Sequence, residues 1–284
     1  MASLTINSTF ALKTGHKLPR LGFGVWDSPQ NLTVQSCLSA LQSGYRHIDT
    51  AQVYGNEAEV GEAVRKSGIP RKDVFITSKI VSPESDAAAT YQKCLQSVKT
   101  IDGENGYLDL LLIHNVTPGA AGIQMMWQAM EKLYEEGKCK SIGVSNMGIG
   151  YMEDMKKYAK IWPPHVEQIE LHPWCQQREI VDYCDKQGIA VEAYCPLVRN
   201  QKADDATLKS IAEKYGKSTA QVLVRYCLDK GWIPLPKSDN PDRIKQNASV
   251  YDFALDKGDI SQLDAKDEGS KGALVVAVDN EKRS

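Results

Sequence analysis

The sequence predicts an α/β fold: a (β/α)₈ TIM barrel with an N-terminal β-hairpin and, at the C-terminus, helices followed by a tail. Eight short apolar segments alternate with helical patterns, at roughly 25 to 35 residues per unit. The fourth segment, residues 108–114, is a nearly unbroken apolar run, which is typical of a parallel strand covered on both faces. The length of 284 residues suits a fold that typically needs about 250.

The strands are predicted from apolar runs, and the helices between them from apolar residues three or four apart. The hairpin precedes them over residues 8–20, around a Thr14-Gly15 turn. The eight barrel strands are predicted at residues 21–25, 47–49, 74–79, 108–114, 142–144, 166–171, 190–194 and 232–235. Since no linker, charge block or low-complexity stretch interrupts this series, we expect one domain over residues 1–284.

Three helix starts are marked by capping residues. Asn56 and Glu59 have the spacing of a capping box. Ser218 and Gln221 have the same spacing in the second of two helical patterns between the last two strands. Asn240 is followed by proline, the residue favoured at the first helical position.

A doubly wound dinucleotide-binding sheet is the structural alternative. It requires a G-x-G-x-x-G turn after an early strand. Gly22-Phe23-Gly24 and Gly148-Ile149-Gly150 both lack the third glycine, and the second does not follow the expected strand-to-helix turn. These absences favour the barrel.

Composition argues against several classes of function. The chain is 42% hydrophobic and 25% charged, with a net charge of −2, so no basic field suggests a nucleic acid or an anionic membrane as partner. No apolar run reaches the length of a membrane span, and residues 1–5 lack the features of a secretory signal. Seven scattered cysteines without a C-x-x-C pair indicate reduced thiols rather than a disulfide framework or a metal site. We therefore expect a cytoplasmic protein that contains no metal.

Four side chains with complementary chemistry fall at neighbouring strand ends. Asp49 ends the second strand with Tyr54 just beyond it, Lys79 ends the third and His114 ends the fourth. Because catalytic groups of barrels lie at the C-terminal ends of strands, these four are expected to converge. Each alone has an ordinary structural explanation, such as a cap, a packing aromatic or a solvated cation. Their coincidence favours a proton-transfer site.

The chemistry of this set points to the reduction of a carbonyl group. A free tyrosine titrates near 10, and a neighbouring ammonium lowers that pKa. Asp49 would keep Lys79 charged and oriented, which would make Tyr54 a general acid matched to a forming alkoxide. His114 would donate a hydrogen bond to the same oxygen and orient the substrate.

A second group of residues has the character of an anion site. Lys237, Ser238 and Arg243 lie around a predicted helix N-terminus directly after the eighth strand. Barrels commonly bind phosphate in their last loops. Arg243 is the strongest candidate, because a guanidinium group binds phosphate through two parallel hydrogen bonds.

These motifs resemble those of the aldo-keto reductases over nearly the whole chain. The resemblance rests on Asp49 and Tyr54 in Asp-Thr-Ala-x-x-Tyr-Gly-Asn-Glu, Lys79 in Ile-Thr-Ser-Lys and His114 in Leu-Leu-Ile-His. It implies that these four residues form the catalytic tetrad. It also implies a cofactor site for NADPH/NADP, with NADPH preferred over NADH, formed by Ser145, Asn146, Gln168, Tyr194, Leu197, Lys237, Ser238, Arg243 and Asn247.

The resemblance assigns roles within that site. Ser145, Asn146 and Gln168 would hold the nicotinamide carboxamide, and Tyr194 would stack on the nicotinamide ring. Trp26, Asn115 and Trp174 are candidates for the substrate pocket by position, and Asn115 stands where several relatives carry tryptophan. The C-terminal residues 274–284 are expected to reach the pocket mouth. The family resemblance also favours a monomer that acts on small molecules.

The function predicted from the sequence is hydride transfer from NADPH to an aldehyde or ketone. Two alternatives remain open at this point. One is a lyase that uses Lys79 as a Schiff-base nucleophile, with the Lys237 and Arg243 cluster serving a substrate phosphate. The other is a catalytically weak NADPH-binding sensor on the same scaffold. The sequence does not identify the physiological carbonyl substrate.

Overall fold

The computed structural model describes residues 4–283, and the sheet at its centre has the predicted topology. Eight parallel strands follow one another in chain order, each paired with its sequence neighbours. The barrel strands are β3 (Phe23–Gly24), β4 (His47–Asp49), β5 (Phe75–Ile80), β6 (Leu110–Ile113), β7 (Ile142–Ser145), β8 (Val166–Glu170), β9 (Ala190–Tyr194) and β10 (Ile233–Pro234). The predicted fold is confirmed. The expectation about a secretory signal rests partly on residues 1–3, which lie outside the described residues, as does Ser284.

The first and last barrel strands are joined by backbone hydrogen bonds. The Gly22 N–H donates to Pro234 O at 3.0 Å, and the Gly24 N–H donates to Pro236 O at 3.1 Å. A Cβ at Gly22 would lie 2.4 Å from Leu235 Cδ2 and 2.6 Å from the His47 ring. Only glycine at this position therefore allows the first and last barrel strands to approach closely enough to close the barrel.

The predicted N-terminal hairpin is present, and it covers the bottom of the barrel. Strands β1 (Thr9–Ala11) and β2 (Lys17–Pro19) pair antiparallel, with Phe10 opposite Leu18. Leu18 is fully buried in a cluster with Leu110, Val166 and other inward-facing strand residues. The hairpin thus supplies the apolar plug that the lower barrel needs.

Helices surround the sheet and bury its outer face. They are α1 (Gln30–Gln42), α2 (Glu57–Lys66), α3 (Ala87–Asp102), α4 (Gly119–Glu135), α5 (Ile149–Met155), α6 (Arg178–Gln187), α7 (Ala206–Tyr215), α8 (Thr219–Asp229), α9 (Pro241–Ala248) and α10 (Lys257–Asp264). Trp127 on α4 is fully buried against the sheet, and truncating such a side chain typically costs about 3–5 kcal/mol. None of the helices within residues 4–283 is long and apolar enough to cross a membrane.

Two of the three predicted caps are confirmed and one is wrong. Ser218 and Gln221 form a reciprocal capping box at α8, and Asn240 accepts from the Arg243 N–H at the start of α9. Asn56 precedes α2, but its side chain makes no cap hydrogen bond. It donates instead to Val25 O at 3.0 Å and accepts from the Thr50 hydroxyl at 2.7 Å. These buried bonds join the loops after the first two barrel strands, which local spacing could not reveal.

Candidate active site

Adjacent strands β4, β5 and β6 bring three of the four predicted catalytic residues to the top of the barrel. Lys79 Nζ lies 2.6 Å from Asp49 Oδ1 and donates to Thr50 O at 2.9 Å. Lys79 is only 1% exposed, so this pair is shielded from water. A buried ammonium needs such partners, because an unpaired charge there would be very unfavourable.

Tyr54 reaches the pair from a short 3₁₀ helix, Gln52–Tyr54, that follows strand β4. Gly55 ends this turn in the left-handed conformation, at φ 68°, which glycine adopts without steric strain. The Gln52 amide fixes the turn to α3 by donating to Lys93 O and to the Ser97 hydroxyl. As a result, Tyr54 Oη lies 3.5 Å from Lys79 Nζ.

The pKa of Tyr54 differs from the expectation that Lys79 would lower it. Burial raises the pKa of Tyr54, and the opposing effect of Lys79 does not overcome it. Burial alone would lower the pKa of Lys79, but Asp49, Tyr54 and Glu192 together raise it. Tyr54 is therefore a neutral phenol and Lys79 an ammonium at neutral pH. This is the charge arrangement of a proton donor backed by a cation that stabilises its conjugate base.

His114 completes the predicted set at the end of β6. Its ring packs edge-on against Tyr54, with the centroids 5.7 Å apart. Burial, with the charge of Lys79, lowers the pKa of His114 to about 3, so the imidazole is neutral. Its Nδ1 is buried without a hydrogen-bond partner among residues 4–283. We therefore assign the proton to Nε2, because His114 lines the pocket described next and that N–H can donate there.

A pocket of about 500 Å³ opens above these residues. Three of the four predicted catalytic residues, Asp49, Tyr54 and His114, line it. The other predicted residues that line it are Trp26, Asn115, Ser145, Asn146, Gln168, Tyr194, Leu197 and Lys237. The sequence thus identified most of one continuous surface from residues that are far apart in the chain.

The three residues predicted to hold a carboxamide are linked to one another. The Ser145 hydroxyl donates to Gln168 O at 2.8 Å. The Asn146 amide donates to His114 O at 3.0 Å and to Ser145 Oγ at 3.2 Å. Its Oδ1 accepts from the Tyr194 hydroxyl at 2.8 Å, which fixes the Tyr194 ring at the pocket wall. The polar hydrogens of Ser145 and Asn146 are therefore engaged by the protein itself.

The predicted anion cluster lies at the start of α9. Lys237 lines the pocket, but its ammonium is paired with Asp239 at 2.6 Å. Arg243 is exposed, and its guanidinium makes one long hydrogen bond, from Nε to Ser238 Oγ at 3.4 Å. No carboxylate in the described part of the chain pairs with Arg243, so this cation remains available to a phosphate. Asn247 is buried on the same helix.

The three substrate-pocket candidates have different locations. Trp26 lies at the rim, 48% exposed, with the Arg199 guanidinium 4.6 Å from its ring centroid. Asn115 lines the pocket. Trp174 is 2% exposed within the hydrophobic core and is not among the residues that line the pocket. A tight turn, in which His172 bridges Cys175, directs Trp174 inward.

Several pocket residues were missed by sequence reasoning. Val53 and Val81 extend the apolar wall near Tyr54, and Arg199 adds a second cation beside Lys237. The basic residue soon after the Cys-Pro-Leu motif was a usable signal for Arg199. Glu192, buried inside the barrel beneath Gln168, was also missed, because a glutamate within an apolar strand gives no indication of what it faces.

The C-terminal tail reaches the pocket mouth, as expected. The Glu170 carboxylate accepts the backbone N–H groups of Leu274, Val275 and Val276 at 2.6, 2.7 and 3.0 Å. Gly148 allows close packing of the tail, since a Cβ there would lie 2.0 Å from Asp279 O. Val275 is thereby held at the pocket wall, 53% exposed.

Comparison with known proteins agrees with this geometry. The family model described as the aldo/keto reductase family matches residues 20–268. The chain belongs to the aldo/keto reductase family. It is 40% identical over 267 residues to a glyoxal reductase of Bacillus subtilis, covering 93% of this chain and 95% of the relative.

Solved structures give the same result. The chain is similar to an aldo/keto reductase from Brucella melitensis, with a TM-score of 0.87, 41% identity and coverage of 92% of this chain and 99% of the other. It is also similar to an aldo-keto reductase of Bombyx mori in complex with NADP, with a TM-score of 0.86 and 30% identity. That alignment covers 97% of this chain and 96% of the other. The presence of NADP in that complex agrees with the cofactor predicted here.

Proposed function

We propose that this protein is an NADPH-dependent carbonyl reductase that acts on aldehydes or ketones. The observation that carries the proposal is the arrangement of Tyr54 at a pocket wall, 3.5 Å from a buried ammonium that is paired with Asp49. A neutral phenol backed by a fixed cation is suited to giving a proton to a developing alkoxide.

The pocket fits a nicotinamide dinucleotide. Tyr194 offers a ring fixed through its hydroxyl, and Gln168 offers a buried amide. Arg199 and Lys237 bring positive charge to the same pocket, and Arg243 lies beyond it at a helix N-terminus. A nicotinamide dinucleotide carries an aromatic ring with a carboxamide at one end and phosphates towards the other. Tyr194 and Gln168 are suited to the ring and its carboxamide, and the three cations are suited to the phosphates. NADPH, when bound, supplies the hydride.

Each catalytic residue then has one task. The His114 N–H orients the substrate through its carbonyl oxygen, and Tyr54 gives its phenolic proton to that oxygen as the alkoxide forms. Lys79 stabilises the phenolate left behind, and Asp49 holds Lys79 in place. One hydride and one proton together convert the carbonyl to an alcohol.

The rim of the pocket favours substrates with an apolar substituent. Trp26, Val53 and Val275 are exposed large hydrophobic residues, and all three line the pocket. Isolated exposed apolar residues are common, but their concentration at one opening indicates a binding role. Because a relative is named glyoxal reductase, we propose small aldehydes as the first compounds to test.

A cytoplasmic monomer remains the proposed state of the protein. Six of the seven cysteines are buried, and all seven are free thiols within the described chain. Unpaired thiols suit a reducing compartment.

The proposal is tested by following NADPH oxidation with a panel of aldehydes and ketones. We expect turnover, with faster reduction of aldehydes that carry apolar groups. Tight NADPH binding without turnover of any carbonyl would instead favour the sensor alternative. The lyase alternative predicts that borohydride traps a carbonyl substrate on Lys79. The burial of Lys79 and its hydrogen bonds to Asp49 and to Thr50 O argue against a role as nucleophile.

The choice between cofactors depends on Arg243. Because only NADPH carries the 2′-phosphate, Arg243→Ala should raise KM for NADPH by about 10- to 100-fold and leave KM for NADH unchanged. Lys245→Ala, at an exposed lysine on the same helix, is the matched control. An equal change for the two cofactors would contradict the assignment.

A further inference from the structure

The amide of Gln168 is held between two buried carboxyl groups. Its Nε2 lies 2.8 Å from Asp49 Oδ2 and 2.7 Å from Glu192 Oε2. A carboxylate oxygen, and equally the carbonyl oxygen of a neutral carboxyl group, accepts hydrogen bonds. The amide nitrogen must therefore face the two acids, and the amide oxygen must face away from them.

The amide oxygen of Gln168 accepts no hydrogen bond from residues 4–283, although Gln168 is 2% exposed and lines the pocket. Its neighbours Ser145 and Asn146 already give their polar hydrogens to protein acceptors. Gln168 Oε1 is not among the fully enclosed polar atoms of the described residues that lack a partner, so it is open to the pocket, where a ligand N–H can bind it in place of water. Gln168 Oε1 is therefore ready to receive an N–H from whatever occupies this part of the pocket.

The two acids differ in what else they do. Asp49 uses its other oxygen to pair with Lys79 at 2.6 Å. Glu192 is fully buried, and its only hydrogen bond within the described chain is the one to Gln168. His47 Nε2 lies 3.8 Å from its second oxygen, which has no hydrogen-bond partner among these residues. Glu192 thus makes no hydrogen bond to Lys79 or Tyr54, and it is coupled to Lys79 only through charge.

Burial, reinforced by the charge of Asp49, raises the pKa of Glu192 to about 8. At neutral pH the group is mainly uncharged, so it adds little negative charge beside Asp49. It still presents a carbonyl oxygen to Gln168. One hydrogen bond donated to Asp49 alone would leave the amide free to pivot about that contact, whereas two donated bonds fix its plane.

We propose that Glu192 is a positioning residue, which holds the Gln168 amide so that its oxygen accepts a hydrogen bond from the carboxamide N–H of the nicotinamide cofactor. This inference rests on the proposed function, because it requires a nicotinamide in the pocket. Glu192 acts through Gln168 and touches neither substrate nor cofactor.

The test compares NADP⁺ with its 3-acetylpyridine analogue, whose acetyl group keeps the carbonyl but lacks the N–H. Dissociation constants are measured by calorimetry for wild type, Glu192→Met and Glu192→Gln. Methionine matches the length of glutamate without offering a strong acceptor, and glutamine restores an acceptor oxygen. The fragment 2′,5′-ADP, which carries no nicotinamide, controls for changes elsewhere in the site.

Glu192→Met should weaken NADP⁺ about five- to tenfold and the acetylpyridine analogue less than about twofold. Glu192→Gln should bind NADP⁺ within about twofold of wild type, and 2′,5′-ADP should bind equally to all three proteins. An equal loss for both dinucleotides would overturn the proposal, because it would indicate a general structural role. An unchanged affinity for NADP⁺ in Glu192→Met would overturn it as well.

Wild type alone provides a second test, which stands even if a variant does not fold. It should prefer NADP⁺ to the acetylpyridine analogue by at least about fivefold, and the absence of any preference would overturn the proposal. Failure of the proposed function has different signatures: neither dinucleotide binds if the cofactor assignment is wrong, and NADPH binds without reducing any carbonyl if the protein is a sensor.

Discussion

The two ends of the barrel each contain a buried aspartate that pairs with a cation, and the two clusters do different work. At the top, Asp49 accepts from Lys79 at 2.6 Å and from Gln168 at 2.8 Å. At the bottom, Asp109 accepts from Arg71 at 2.9 Å and from the Ile76 N–H at 2.9 Å. The chemical groups are similar, but their neighbours are not.

The bottom cluster ties parts of the scaffold together. Arg71 also donates to Val74 O and Tyr107 O, and His16 of the hairpin turn lies 2.9 Å from Asp109. The top cluster leads instead to Tyr54 and Gln168, which line the pocket. The direction in which each cluster presents its remaining polar atoms, rather than its charge, therefore separates the stabilising end from the end proposed to be catalytic.

The largest effect is expected from Lys79→Met, which should damage both stability and activity. Loss of the ammonium leaves the Asp49 charge buried, at a cost of about 3–5 kcal/mol in the free energy of unfolding. It also removes the cation behind Tyr54, so kcat should fall by about 10²- to 10⁴-fold. Lys72→Met, at an exposed lysine, is the control, and denaturant unfolding and steady-state rates are the measurements. A stable variant with normal kcat would remove Lys79 from the mechanism.

An effect on stability without an effect on kcat is expected from Asp109→Asn at the other end. An asparagine side chain would accept weaker hydrogen bonds from Arg71 and from the Ile76 N–H. This loss should lower the free energy of unfolding by about 1–3 kcal/mol. The rate of carbonyl reduction by the remaining folded protein should be unchanged. Denaturant unfolding and kcat are measured beside Asp73→Asn, an exposed aspartate at the same end. If kcat fell as steeply as in Lys79→Met, the division between the two ends would be wrong.

The third effect concerns pH and arises at the top. The pKa of Glu192 is raised in the folded state, from 4.5 to about 8, by burial and by Asp49. Folding therefore favours the neutral form of Glu192. Its contribution to the free energy of unfolding is at its full value below about pH 4.5 and is lost as the pH rises towards 8. The slope is at most about 1.4 kcal/mol per pH unit.

Glu192→Gln should remove that slope. The difference in free energy of unfolding between wild type and Glu192→Gln should shift steadily against wild type from about pH 5 to pH 8, and then level off. The groups that face Glu192 are His47, Asp49 and Lys79, and both proteins contain them. A difference that stays constant across this range would mean that Glu192 is already ionised at pH 5.

Much of the fold and of the site could be predicted because the signals are local. Strand β6 is an uninterrupted apolar run, and Lys79 and Tyr54 lie in short motifs beside strand ends. Where interactions cross the barrel, local pattern gave no warning. Asn56 has the spacing of a capping residue, yet it donates to Val25 O in the loop after another strand. Trp174 follows Gln168 closely in the sequence, but its side chain is buried in the hydrophobic core.

The contribution of the C-terminal tail has a similar explanation. Val275 reaches the pocket wall because the Glu170 carboxylate binds successive N–H groups of the tail, more than 100 residues away along the chain. The sequence predicted that the tail reaches the pocket, but it did not indicate which residue would anchor it. Contacts of this kind become visible only when the packed strands and the tail are seen together.

The most direct test of the account is kcat for NADPH-dependent aldehyde reduction by Tyr54→Phe. The substitution removes one hydroxyl that faces the pocket and leaves the Lys79–Asp49 pair intact. We expect kcat to fall by about 10²- to 10⁴-fold while NADPH binding and the free energy of unfolding change little. A Tyr54→Phe protein with kcat close to that of wild type would show that Tyr54 is not the proton donor.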